Sequence, residues 1–169
     1  MAGGSRVWLV EKKPQPPATL WRASVVTWSQ GKGAWLVDLL FSNEQGLTPG
    51  KQPGVDLVSV NVKAADLTGD GKDELVFGFR SSGTGGYLAY DIVTDAVGGA
   101  PKVAASRNGL TKGQASVAGG TVTEYAAPAS GSPSLPTTFE KSIIQYSGGA
   151  FRIQPAGQVP APGPGQLDL

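Results

Sequence analysis

The stretch Gln114-Ala115-Ser116-Val117-Ala118-Gly119-Gly120-Thr121-Val122-Thr123-Glu124-Tyr125-Ala126 reads as two short strands folded back on each other. Ala115 and Val117 alternate with Gln114 and Ser116, the period of a half-buried strand. Gly119-Gly120 supplies the positive φ that a tight hairpin turn demands of its central residues. The same pattern recurs nearer the end, where Gly148-Gly149 separates Ser142 to Tyr146 from Ala150 to Gln154. Further runs of this kind are Arg6 to Glu11, Trp21 to Trp28, Ala34 to Phe41, Val55 to Ala65, Glu74 to Arg80, Tyr87 to Val93 and Val103 to Ser106. No window of a dozen residues carries a helical stripe. Gly46 to Gly54 and Ala127 to Thr138 read as loops rich in Pro, Gly or Ser.

Composition agrees. In 169 residues there are 25 Gly and 13 Pro, more than a fifth of the chain, against roughly 12% on average, which favours many short strands over long helices. The expected fold is one all-β, antiparallel domain, a sandwich or meander of about 9–11 short strands. Its body is expected over residues 7–154, after a flexible start at 1–6. Pro14, Pro16 and Pro17 are expected to form a stiff link after the first strand. From Pro155 to Leu169 four prolines and three glycines predict a disordered tail, with too little apolar surface to offset chain entropy.

Charge and residue type narrow the function classes. Fourteen Lys and Arg against thirteen Asp and Glu give a net charge of +1 with no basic block beyond Lys12-Lys13, so nucleic acid is not an expected partner. The longest apolar stretch, Ala34 to Phe41, is interrupted by Asp38 and falls short of the ~20 residues of a membrane-spanning helix. The opening Met1-Ala2-Gly3-Gly4-Ser5 has no basic segment leading into an apolar one, the expectation being a chain either cytosolic or separated from its export signal or anchor. With no Cys and no His, thiol and imidazole nucleophiles, His general bases and Cys/His-held zinc or haem are excluded.

The densest chemistry lies in Asp66-Leu67-Thr68-Gly69-Asp70-Gly71-Lys72-Asp73-Glu74. Asp66, Thr68 and Asp70 alternate, so a tightly curled loop turns three side-chain oxygens to one side, and Gly69 and Gly71 allow the curl. The Lys72 carbonyl and the Glu74 carboxylate complete a candidate oxygen cage, whose hard ligands in an irregular loop suit Ca²⁺ better than Mg²⁺. The alternative is an acidic hairpin whose carboxylates cap N–H groups of the turn and bind no ion. An EF-hand is excluded, since its twelfth position falls on Phe77 and the flanks are strands.

The stretch resembles the FG-GAP or VCBS calcium repeat of integrin-like propellers, whose acidic loop sits in a β-hairpin and runs into an apolar strand ending in Gly, here Leu75-Val76-Phe77-Gly78. The resemblance implies Asp66, Thr68, Asp70, Lys72 and Glu74 as calcium ligands. It spans residues 66–80 in a single copy, which argues against a closed propeller. Together with the glycine-rich turn Gly83-Thr84-Gly85-Gly86-Tyr87, the loop is also similar to secreted or lipid-anchored envelope domains of bacteria. That similarity implies an exported or cell-envelope location more than an activity; the loop, the missing catalytic bases and the strand-rich pattern lead to the expectation of a non-enzymatic module, structural or interacting with a protein or glycan at the cell surface.

Other readings stay open beside it. Arg80 to Asp91 offers either a phosphate-cradling loop or a plain hairpin loop; the P-loop Lys-Ser/Thr and following helix are missing. Asp66, Asp70, Glu74 and Asp91 are close enough in sequence to serve a carboxylate-based hydrolase. Trp8, Trp21, Trp28 and Trp35 supply either core packing or a platform for carbohydrate or peptide, and Tyr87, Tyr90, Tyr125 and Tyr146 carry the same ambiguity. Ser29-Gln30-Gly31-Lys32 matches the Ser-x-x-Lys of penicillin-recognising enzymes but sits at a turn, without its companion motifs.

Overall fold

The computed structural model describes residues 6–15, 18–42, 57–81, 85–95, 100–128, 136–162 and 169, with the backbone alone for 6–15, 18–21, 39–42 and 57–58. Eleven strands and no helix occur among them: β1 (Arg6–Gln15), β2 (Ala18–Ser29), β3 (Ala34–Ser42), β4 (Leu57–Ala65), β5 (Glu74–Ser81), β6 (Leu88–Thr94), β7 (Lys102–Leu110), β8 (Gln114–Ala118), β9 (Thr121–Ala126), β10 (Thr138–Ser147) and β11 (Ala150–Pro160). They form three antiparallel meanders, ordered β1-β2-β3, β4-β5-β6-β7 and β11-β10-β9-β8, none closed into a barrel.

The two Gly pairs behave as their positions require. Gly119 and Gly120 have φ of 57° and 72°, and Gly148 and Gly149 have 61° and 83°, so both hairpins turn through conformations that side-chain-bearing residues resist. They set the registers Ala118↔Thr121 and Ser147↔Ala150.

The middle sheet is covered on both faces. Leu75, Phe77 and Phe79 of β5, with Ala89 and Val93 of β6, meet Ala23 and Val25 of β2. The alternate residues Val76, Leu88, Tyr90 and Ile92 meet Ala115, Val122 and Ile144 of the third sheet. Burial on both sides explains why β5 and β6 read as nearly unbroken apolar runs. Each large side chain so enclosed contributes roughly 1.5–3 kcal/mol.

A buried polar pin joins the middle and third sheets. Glu124 of β9 accepts hydrogen bonds from the Tyr90 hydroxyl (2.7 Å) and from Arg107 Nε (2.9 Å), while its other oxygen meets Arg107 Nη2 at 2.5 Å. Burial, reinforced by the Glu124 carboxylate, raises the Tyr90 pKa, and the hydrogen bond to Glu124 raises that of Arg107.

Proline behaves differently from expectation at both ends. Pro14 lies within β1, opposite Thr19, and not in a linker; Pro155 and Pro160 lie in β11, opposite Ser142 and Thr138. Both strands are sheet edges, where a residue lacking an N–H is tolerated. The predicted disordered tail therefore gives way to a strand as far as Pro160. Leu169 is 3% exposed, packs on Gly78 and donates its N–H to Ala115 O at 3.2 Å. Residues 1–5 of the expected flexible start, Pro16 and Pro17, the loop at 46–54, residues 129–135 and residues 163–168 lie outside the described residues.

Candidate functional site

The acidic loop connects β4 to β5, and its two ends are fixed by burial. Leu67 is anchored in the core between the middle and third sheets, and Glu74 opens β5 at 3% exposure. Glu74 Oε2 reaches back to accept the N–H groups of Leu67 (2.8 Å) and Thr68 (3.0 Å). Asp66 accepts Gly69 N–H on one oxygen at 2.7 Å and Gly71 N–H on the other at 2.9 Å. Asp70 accepts the N–H of Lys72 at 2.9 Å. Gly69 and Gly71 have φ of 78° and 80°, the left-handed geometry that the curl needs.

The loop is thus curled as its spacing predicts, with each of the three carboxylates capping main-chain N–H groups. Among the described residues no three acidic side chains gather as a metal-holding group. Glu74 is turned inward, while Asp66 and Asp70 stay at the surface side of the loop. Two features nonetheless fit a hard cation. A carboxylate oxygen that accepts one N–H retains a second lone pair. The Thr68 hydroxyl oxygen is shielded from solvent and has no hydrogen-bond partner, an unmet acceptor in the middle of the alternating set.

Thr68, Asp70, Lys72 and Glu74 line one side of a cleft of about 480 Å³. Thr94, Asp95 and Lys102 of the β6–β7 connection form a second side, and Tyr146 and Phe151 of the β10–β11 hairpin a third. The two rings meet edge to face, centroids 5.1 Å apart, and Lys102 pairs with Asp95 at 3.2 Å. Asp66 does not line this cleft. Tyr146 had an ambiguous place in the sequence, and Thr94, Asp95, Lys102 and Phe151 had none. They arrive from two other hairpins, and no spacing within the chain announces such a meeting.

The remaining candidates disperse. Asp91 does not join the loop acids: it lies on β6, 1% exposed, with Ser106 Oγ donating to it at 2.5 Å. Burial raises its pKa to about 6, and the Ser106 hydrogen bond offsets this in part. Trp28 and Trp35 face each other across β2 and β3, edge to face at 5.6 Å, and are 37% and 49% exposed, so these two are not core. The side chains of Trp8 and Trp21 lie outside the described residues. Ser29 ends β2 at a turn, its carbonyl accepting Lys32 N–H at 3.2 Å, and opens no helix.

No protein family, curated protein or solved structure matches the chain.

Proposed function

We propose that the chain is a non-enzymatic β module of the cell surface, with a structural or interaction role, whose Asp66–Glu74 loop is stabilised by Ca²⁺. The observation that carries the reading is the pre-curled loop with the unpartnered Thr68 oxygen inside it. Its N–H caps hold Asp66 and Asp70 in place beforehand, so an ion would find part of its oxygen shell already arranged. Thr68 Oγ1, the carboxylates of Asp66 and Asp70 and the Lys72 carbonyl are the ligands of the reading, with Glu74 bracing the loop from inside. So few charges imply a dissociation constant of about 10⁻⁴–10⁻³ M, a range useful where calcium is millimolar, which supports export.

The test is a calcium titration by calorimetry with melting curves in calcium and in EDTA. At tenfold saturation, binding to the folded state alone adds about 1.4 kcal/mol and raises the melting temperature. Asp70→Ala abolishes the rise. Absence of binding up to about 10 mM, ten times the weak end of the range, refutes the proposal and leaves the loop as a self-capped acidic hairpin. A second reading, a glycan site, is favoured by the Tyr146–Phe151 pair beside a mixed-charge cleft.

A further inference from the structure

The cleft beside the acidic loop has walls in which the ion plays no part. On β6, Thr94 follows Leu88, Tyr90 and Ile92 in the same alternation, pairs with Lys102 of β7 and lines the cleft. It is 9% exposed, and its hydroxyl oxygen is enclosed without a hydrogen-bond partner. A valine would fill the same volume at the end of a strand that is buried throughout, so the hydroxyl is a polar group that the packing itself leaves unmet.

Two further features surround this hydroxyl. Asp95, at φ of 56°, turns the chain out of β6 and meets the Lys102 ammonium at 3.2 Å. A carboxylate has about four lone-pair sites and an ammonium three N–H groups, so their mutual contact exhausts neither. Across the cleft, Tyr146 and Phe151 are direct partners on either side of their hairpin and present joined ring surfaces. The cleft's charges nearly balance, Asp70 and Asp95 against Lys72 and Lys102, with the Glu74 carboxylate turned onto the N–H groups of Leu67 and Thr68. An apolar wall, an enclosed hydroxyl and a pair of opposite charges within about 480 Å³ suit a neutral molecule with one apolar face and a rim of hydroxyls.

We propose that these walls bind one ring of a neutral saccharide, with its C–H face on the Tyr146–Phe151 pair and neighbouring hydroxyls on Thr94 and on the Asp95–Lys102 pair. A sugar hydroxyl donates to the Asp95 carboxylate while its neighbour accepts from the Lys102 ammonium, both charge-assisted contacts. The assignment rests on the glycan reading and not on the calcium one, since none of its contacts uses Thr68 or an ion.

The experiment is a ¹H–¹⁵N titration of the whole chain in EDTA with the methyl glycosides of glucose, galactose, mannose and N-acetylglucosamine, and with glucuronate and glucosamine as charged comparisons. Saturable shifts at residues 94, 95, 102–104 and 146–151 are expected with at least one neutral glycoside, and weaker ones with both charged sugars. Thr94→Val should weaken that glycoside roughly twofold to tenfold, the worth of one hydrogen bond, while the melting temperature stays the same or rises because an unmet oxygen is gone. Asp95→Asn, which keeps a residue tolerant of the left-handed φ but removes the charge, should weaken it too. Preference for a charged sugar, shifts centred on the indole N–H groups of Trp28 and Trp35, a requirement for calcium, or unchanged affinity in Thr94→Val would each overturn this assignment and leave a glycan site elsewhere or otherwise built. No saturation by any of the sugars up to about 50 mM would refute the glycan reading together with it.

Discussion

Asp91→Asn should remove one defined part of the dependence of this protein's stability on pH. The Asp91 carboxyl is 1% exposed and its hydrogen-bond donor is the neutral Ser106 hydroxyl, so its charge is poorly compensated. Its pKa rises from 3.8 to about 6 on folding. Between those values the folded chain holds a proton that the unfolded chain has released. Stability therefore falls as pH rises through this window and is level above it. At about 1.36 kcal/mol per unit, the ionised carboxylate costs the folded state roughly 3 kcal/mol at neutral pH, of which about 2–3 develops between pH 4 and 7.5.

Asparagine keeps the acceptor for Ser106 but cannot ionise. Its extra N–H groups carry a burial cost of about 1–3 kcal/mol if unpaired, an offset that does not change with pH. The informative quantity is thus the gap between variant and wild type, measured by thermal unfolding at pH 4 and at pH 7.5. The gap should move in favour of the variant by roughly 5–10 °C over that interval, given about 2–4 °C per kcal/mol for a domain of this size. A gap that is constant with pH would refute the argument, because every other titrating group is common to both proteins.

Glu124→Gln should lower stability by about 3 kcal/mol, since it strands the partly buried Arg107 charge and weakens the bond to Tyr90; urea unfolding at pH 7 measures it, and a loss under about 1 kcal/mol would mean the pin is ornamental. Leu169→Ala should cost about 2 kcal/mol by emptying the space above Gly78, read as a drop of several degrees in melting temperature; an unchanged midpoint would show that the chain end is not docked.

Most of the strand order was legible because alternation and Gly pairs are local signals. Thr121–Ala126 coincides with its expected limits, and the other ten strands differ from theirs only by extension or trimming at the ends. Which strands share a sheet was not legible, because pairing is decided by contacts between distant segments. The double burial of β5 and β6 was visible as an apolar run yet consistent with several layer orders. The tail was misread because composition counts prolines without asking whether they sit at an edge, and because two leucines in fifteen residues carry no periodic signal. Within the site, Gly69 and Gly71 announced the curl of the loop. Asp91 was grouped with the loop acids by nearness in sequence, whereas pleating and pairing placed it on β6 beside Ser106. The cleft residues from other hairpins had no local signal at all.

Three sheets left open have one further consequence, for how copies of this chain meet. Every open meander ends in two strands with a partner on one side only, and such strands are templates for adding another chain. On β1 and β11, Pro14, Pro155 and Pro160 interrupt the row of donors that a newcomer would need. The Leu169 N–H occupies an acceptor on β8. Strand β3 has neither device: Ala34-Trp35-Leu36-Val37-Asp38-Leu39-Leu40-Phe41 is aromatic and β-branched or aliphatic throughout, with Asp38 as its single charge. The edges β4 and β7 carry Lys63 and Lys102 with Arg107, so β3, with its one carboxylate, is the edge least guarded against a newcomer.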